Sequence, residues 1–110
     1  MTEGRELHVQ YYRTRLGACQ FKRWRDRITD ASARQAIDAR IARLRTGNFG
    51  KSRPVGEGVS ESKIDFGPGY RIYYGVDGEL IILLNAGDKS SQDEDIQQAK
   101  RLWRDYKERR

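Results

Sequence analysis

Hydrophobic positions along this chain change period several times, and each change marks an element. In Leu7-His8-Val9-Gln10-Tyr11-Tyr12, the residues Leu7, Val9 and Tyr11 share one side of a two-residue alternation, which predicts a first strand. Between Cys19 and Ile28, Phe21, Trp24 and Ile28 recur at i, i+3 and i+7, the spacing of a short amphipathic helix. Ala33, Ile37, Ile41 and Leu44, reinforced by Ala36, make the stripe of a second helix. Asp30 can cap that helix near Ala31, and Gly47 after Thr46 is a natural stop. Few residues join the two helices, so an antiparallel helical hairpin is expected.

Beyond Gly50 the period returns to two. Val59 to Phe66 alternates, with Ile64 and Phe66 on one face and Glu61, Lys63 and Asp65 on the other. Gly67-Pro68-Gly69 predicts a tight reversal, Tyr70 to Gly75 a strand, and Asp77-Gly78 a two-residue hairpin. Glu79 to Asn85 is apolar on both faces, as a covered central strand should be. A further short strand fits Ser52–Val55. After the loop Ala86-Gly87-Asp88-Lys89, Ser91-Gln92-Asp93-Glu94 fits a capping box, with Asp93-Glu94-Asp95 as the first turn of a helix. Ile96, Ala99, Leu102, Trp103 and Tyr106 then follow at helical spacing. The expectation is a single α+β domain over residues 1–110. It holds an N-terminal strand, a helical hairpin packed on one face of an antiparallel meander of three or four strands, and a C-terminal helix. The helices are expected over one face, leaving the other open.

Composition narrows the function classes. The longest uninterrupted apolar run, Leu80 to Leu84, falls far short of the roughly 20 residues needed to cross a bilayer. Met1 to Glu6 lacks the apolar stretch of a signal peptide, so a cytoplasmic protein without a membrane role is expected. One cysteine, Cys19, excludes an internal disulfide, and with one histidine, His8, it cannot assemble a zinc site of the usual ligands. No metal and no cofactor are expected. The net charge of +6 is uneven. Met1 to Pro54 carries 13 basic and 5 acidic residues, Val55 to Ala99 carries 3 and 9, and Lys100 to Arg110 carries 6 and 2. A polyanion would be gripped by the N-terminal helices, through residues such as Arg23 and Arg27, and by the C-terminal segment, through Lys100 and Arg104.

The three cations of the acidic middle segment run against their surroundings. A register closing across Gly67-Pro68-Gly69 places Asp65 opposite Arg71 and Lys63 opposite Tyr73, and Lys89 emerges at the end of the sheet nearest Arg71. Lys63, Arg71, Tyr73 and Lys89 then converge on the open sheet face. That set suits RNA cleavage by the strand's own 2′-hydroxyl, which needs a proton acceptor, cations for the charge growing on the phosphate, and an acid for the leaving 5′ oxygen. Arginine presents a planar fork matched to phosphate oxygens, and an aromatic ring can stack a splayed base. The plainer readings are a cross-strand Arg71–Asp65 ion pair, a solvated Lys63 and a packed Tyr73.

The residues Phe49-Gly50, Val55 to Glu61, Ile64 to Tyr74, Gly87-Asp88-Lys89-Ser90-Ser91-Gln92 and Asp95 to Ala99 resemble the addiction-module killer proteins, the phage-type, HigB-like members of the RelE/ParE toxin superfamily. The resemblance spans about Tyr11 to Tyr106. It implies a RelE-like fold and a toxin of a type II toxin–antitoxin module, neutralised by a helix-turn-helix antitoxin that alone contacts operator DNA. Many such relatives enter the ribosome and cut mRNA without a metal. Arg71 matches the family's strand arginine and Lys89 its lysine before the last helix. Lys63, Arg53 and Tyr73 are weaker matches. The chain lacks any histidine after His8, leaving Tyr106 or Tyr73 as substitutes by type. The alternatives are a ParE-like DNA gyrase inhibitor and a non-toxic, antitoxin-binding co-repressor.

Overall fold

The signal at Asp77-Gly78 closes a hairpin, one residue later than its usual position: Asp77 pairs with Leu80, and Gly78 takes φ 62° in the loop between them. In the computed structural model, which describes residues 6–110, that hairpin is the centre of a five-stranded sheet. Met1 to Arg5, counted above in the domain and in the N-terminal stretch without an apolar run, lie outside the described residues. The elements are β1 (His8–Tyr11), α1 (Gln20–Arg27), α2 (Ala31–Arg45), β2 (Ser52–Gly56), β3 (Val59–Ile64), β4 (Tyr70–Asp77), β5 (Leu80–Gly87), a 3-10 turn (Lys89–Ser91) and α3 (Gln92–Arg109). The spatial order is β1-β5-β4-β3-β2.

The fold is α+β, and it corrects the expected architecture in two ways. The sheet is mixed: β2 to β5 form the antiparallel meander, but β1 pairs parallel to β5, with His8 beside Leu80 and Tyr11 beside Leu83. Nor is one face open. Phe21 and Trp24 of α1 and Ile37 and Leu44 of α2 pack with Ile72, Tyr74, Ile81 and Leu83 on one face. On the other, Ala99 and Trp103 of α3 pack with Tyr12, Val59, Tyr73, Ile82 and Leu84. The unbroken apolar run of β5 requires this, since its successive residues point to opposite faces and both sets need cover. Trp103 lies so close to β4 that a Cβ on Gly75 would sit 2.5 Å from its ring, which fixes glycine there.

Both N-terminal helices form, the second with the cap and stop that the sequence predicts. The Asp30 side chain accepts from the Ser32 N–H, and α2 ends at Arg45, with Thr46 as its cap and Gly47 following at φ 82°. Arg25 donates to both carboxylate oxygens of Asp38, at 3.0 and 2.7 Å, tying α1 to α2. The expected capping box at Ser91 does not form, because the 3-10 turn moves the cap upstream. Asp88 accepts from the backbone and hydroxyl of Ser90, at 2.8 and 2.6 Å, while Ser91 donates to Asp95 at 2.6 Å.

Two local irregularities position the site. The β3–β4 loop is five residues, Asp65 to Gly69, closed by bonds from the Phe66 N–H to the Ile64 carbonyl and from the Gly69 N–H to the Phe66 carbonyl. Lys63 therefore faces Arg71 and Glu61 faces Tyr73, in place of the expected Asp65–Arg71 and Lys63–Tyr73 pairs. The shift is by an even number of residues, so every side chain keeps its face. In β5 the register slips between Tyr73–Asn85 and Tyr74–Leu83, making Leu84 a bulge residue. Beyond the bulge, Arg71 pairs with Gly87 and the chain turns toward Lys89.

Candidate functional site

Arg71 begins the site because of where its strand runs. It sits in central β4, between Lys63 of β3 and Gly87 of β5, on the face covered by α3. The α3 helix starts just beyond this point, so Arg71 is 7% exposed yet lines a hollow. That hollow, of about 370 Å³, is lined by Lys63, Arg71, Lys89 and the loop from Asp65 to Gly69. Three of the expected cations thus meet at one place.

The guanidinium is held from behind. Its Nη1 donates to the Gly69 carbonyl at 2.8 Å, and its Nε lies 3.8 Å from Glu61 Oε2, beyond hydrogen-bond reach. That Nε is a buried donor with no partner among the described residues. A buried unpaired donor on an arginine carries a desolvation cost, and the nearest anion to this one is the Glu61 carboxylate.

Glu61 is the residue that sequence reading missed. Its carboxylate is 3% exposed and accepts from Arg53 Nε at 2.9 Å, the Tyr73 hydroxyl at 2.9 Å and Gln92 Nε2 at 2.8 Å. Burial pushes its proton affinity up, but the hydrogen bonds from Gln92, Arg53 and Tyr73 and the charge of Arg53 outweigh burial and hold it below the usual glutamate value. The sequence did carry a signal: Glu61 shares the strand face of Lys63, and through the register that of Arg71 and Tyr73. With the sheet face taken as open, a glutamate there needed no explanation.

Tyr73 does not join the rim. It is fully buried and spends its hydroxyl proton on Glu61. Burial, the Glu61 hydrogen bond and the Glu61 charge all drive its ionisation far above the ordinary phenol value. This corrects its expected place on an open sheet face: α3 covers the strand and seals the phenol in. Tyr106 is also engaged, donating to Asp77 at 2.8 Å on the far part of α3.

On the rim, Lys63 pairs with Asp65 at 3.7 Å, and Asp65 also pairs with Lys51. The Lys51 hydrogen bond and charge, with Lys63 beside it, hold the Asp65 carboxyl below its ordinary value. Lys89 is exposed and has no ion pair among the described residues. Next to it, Asp95 packs so tightly on Gly87 that a Cβ there would lie 1.8 Å from its carboxylate oxygen. Burial pushes the Asp95 carboxyl up; the Ser91 hydrogen bond opposes this, and Asp88 and Glu94 add to it.

The expected RNA-gripping residues are dispersed. Arg53 stays close, bonded to Glu61 from β2 with its side chain largely exposed. Arg23 and Arg27 are exposed on α1, in the layer on the other side of the sheet. Lys100 approaches Gly56, and Arg104 pairs with Glu57, so both belong to the β2–β3 turn rather than the hollow. Charge counting located these residues by segment and had no means of assigning them to a face.

Compared with known proteins, the chain is 48% identical over 83 residues to an uncharacterized protein of Haemophilus influenzae, a match covering 74% of this chain and 84% of that protein. No family model matches the chain, and no solved structure matches it.

Proposed function

We propose that this chain, which belongs to the same family as that Haemophilus influenzae protein, is the toxin of a type II toxin–antitoxin pair, acting as a metal-independent, ribosome-dependent endoribonuclease on mRNA. The observation that carries the reading is the meeting of Arg71, Lys63 and Lys89 around one hollow. A phosphodiester seated there would accept from Arg71 and lie against both ammonium groups. In the reaction, the 2′-hydroxyl of the message attacks the adjacent phosphorus and the bond to the 5′ oxygen breaks, leaving a 2′,3′-cyclic phosphate and a 5′-hydroxyl. The cations stabilise the charge that grows on the phosphate oxygens, an effect of about 2.7–4 kcal/mol for one well-placed donor. Proton transfer falls to the titratable groups of the rim, Lys63, Asp65 and Lys89, since the Tyr73 phenol is committed to Glu61. A sheet held between a helical hairpin and a C-terminal helix fits the RelE-like arrangement of this reading. A cytoplasmic setting, a helix-turn-helix antitoxin and operator contact through that antitoxin belong to the same reading.

A second reading, a ParE-like gyrase inhibitor, gains from one observation. With Tyr73 engaged and no histidine at the hollow, the site is rich in cations and lacks an imidazole for proton transfer. Induction of the chain without a partner separates the two. New RNA 5′-hydroxyl ends within coding sequences support the nuclease, whereas loss of DNA supercoiling without new RNA ends supports the gyrase inhibitor and overturns the first reading.

A further inference from the structure

The two edges of the sheet are treated differently. The β2 edge is blunted by Pro54 and by a register irregularity between Pro54 and Gly56. The β1 edge has neither. The N–H groups of His8 and Tyr12 both bond inward, to the carbonyls of Glu79 just before β5 and of Leu83 within it, at 2.8 and 2.9 Å. In a parallel pair, alternate residues face the same neighbour, so the N–H and C=O groups of Val9 and Tyr11 point outward, away from the sheet.

Three further features gather on that edge. Tyr11 in β1 and Leu16 in the loop after it are two of the three exposed large hydrophobic residues among those described, and Leu16 is 98% exposed. A hollow of about 390 Å³ opens beside the strand toward α3, lined by Tyr12, Tyr106, Arg13, Arg109 and Arg110 as well as Gln10. No acidic side chain among the described residues lines it. Arg109 and Arg110 are paired on their inner sides with Asp105 and Asp77, whereas Arg13 has no ion pair among the described residues.

We propose that the β1 edge and its hollow take an extended, acidic segment of a partner polypeptide, which adds to the sheet as a sixth strand beside β1. The outward groups of Val9 and Tyr11 supply the main-chain bonds. An apolar side chain of the incoming segment enters between Tyr12 and Tyr106, and acidic side chains two residues away on either side meet Arg13 and Arg110. Single-stranded nucleic acid is the competing occupant of an arginine- and tyrosine-lined hollow, but it would leave the outward strand groups unused. This inference stands apart from the RNA reading, since none of its residues lies at the Arg71 hollow.

The test is selection of a display library of random peptides of about twelve residues against the intact chain. Binders should alternate Asp or Glu with β-branched or aromatic residues, and should slow hydrogen exchange at the Val9 and Tyr11 amides. Tyr11→Pro deletes an outward N–H without touching the β5 ladder, and Tyr11→Ala is its control. Binding should be at least about tenfold weaker to Tyr11→Pro than to Tyr11→Ala, and to fall by a similar factor in Arg13→Glu with an unchanged melting temperature. Should Tyr11→Pro fail to fold, the exchange result and Arg13→Glu decide. Binders of helical or basic pattern, no binders at all, indifference to Arg13→Glu, or a single-stranded RNA oligomer competing for the same arginine would each overturn the proposal.

Discussion

Tyr73 stands directly opposite Glu61 in the β3–β4 register and donates its hydroxyl to the Glu61 carboxylate at 2.9 Å. The pair explains why a glutamate can be buried beneath a cationic rim: it gathers Tyr73, Gln92 and Arg53 as donors and sets its negative charge behind Arg71. Arg71 is thereby held at the mouth of the hollow without its Nε being consumed.

Glu61→Gln keeps the shape but removes the charge and turns one acceptor into a donor facing other donors. A loss of about 2 kcal/mol at pH 7 is expected, as for hydrogen bonds to a charged group. The folded carboxyl titrates below its ordinary value, so its stabilisation is complete above the unfolded value near 4.3 and is lost as pH falls through the lower folded value. Urea unfolding at pH 7 and near pH 3 should therefore show the gap between wild type and variant narrowing in acid. A gap that is constant with pH contradicts an ionised Glu61.

Asp95 has the opposite sign. Burial raises its folded value, so the fold is favoured while the carboxyl is protonated and loses ground as pH rises through that raised value. Asp95→Asn, which can still accept from Ser91, should raise the melting temperature at pH 7 and leave it nearly unchanged near pH 3. A lower melting temperature at pH 7 would mean that the carboxylate has a favourable partner.

Gly75→Ala forces a methyl group onto the Trp103 ring. Overpacking of this kind costs about 1–3 kcal/mol. Because the two residues touch, the change should be less harmful when Trp103 is already Leu, and a double-mutant cycle on thermal unfolding would read that coupling. Additive effects would place Trp103 elsewhere.

Much of this molecule was legible in the amino-acid order. The stripe of Ala33, Ile37 and Leu44, the cap at Asp30 and the turn at Gly78 rest on local chemistry, and each formed. The parallel pairing of β1 with β5 was not legible, since alternation in Leu7, Val9 and Tyr11 specifies a buried face but no neighbour. The cover over the second face could have been read from β5 itself, whose residues are apolar on both sides. Missing it led Tyr73 to be counted with the reactive groups and left Glu61 unremarked. Lys63, Arg71 and Lys89 met as expected because strand parity survived the two-residue error in register.

Tyr73→Phe separates the buried scaffold from the rim. It removes one donor to Glu61 and should cost about 1 kcal/mol of stability, while mRNA cleavage stays within about threefold of wild type. A far larger loss of cleavage in a folded Tyr73→Phe protein would return Tyr73 to the chemistry.

The most direct measurement is single-turnover cleavage of mRNA on purified, programmed ribosomes by wild type, Arg71→Ala and Lys89→Ala, with circular dichroism confirming that each variant is folded. The account predicts cleavage by wild type that leaves 5′-hydroxyl ends, and a fall of about 10²–10³ in rate for Arg71→Ala with a clear loss for exposed Lys89→Ala. Folded variants that cut as fast as wild type, or a wild-type protein that leaves the message intact, would contradict it.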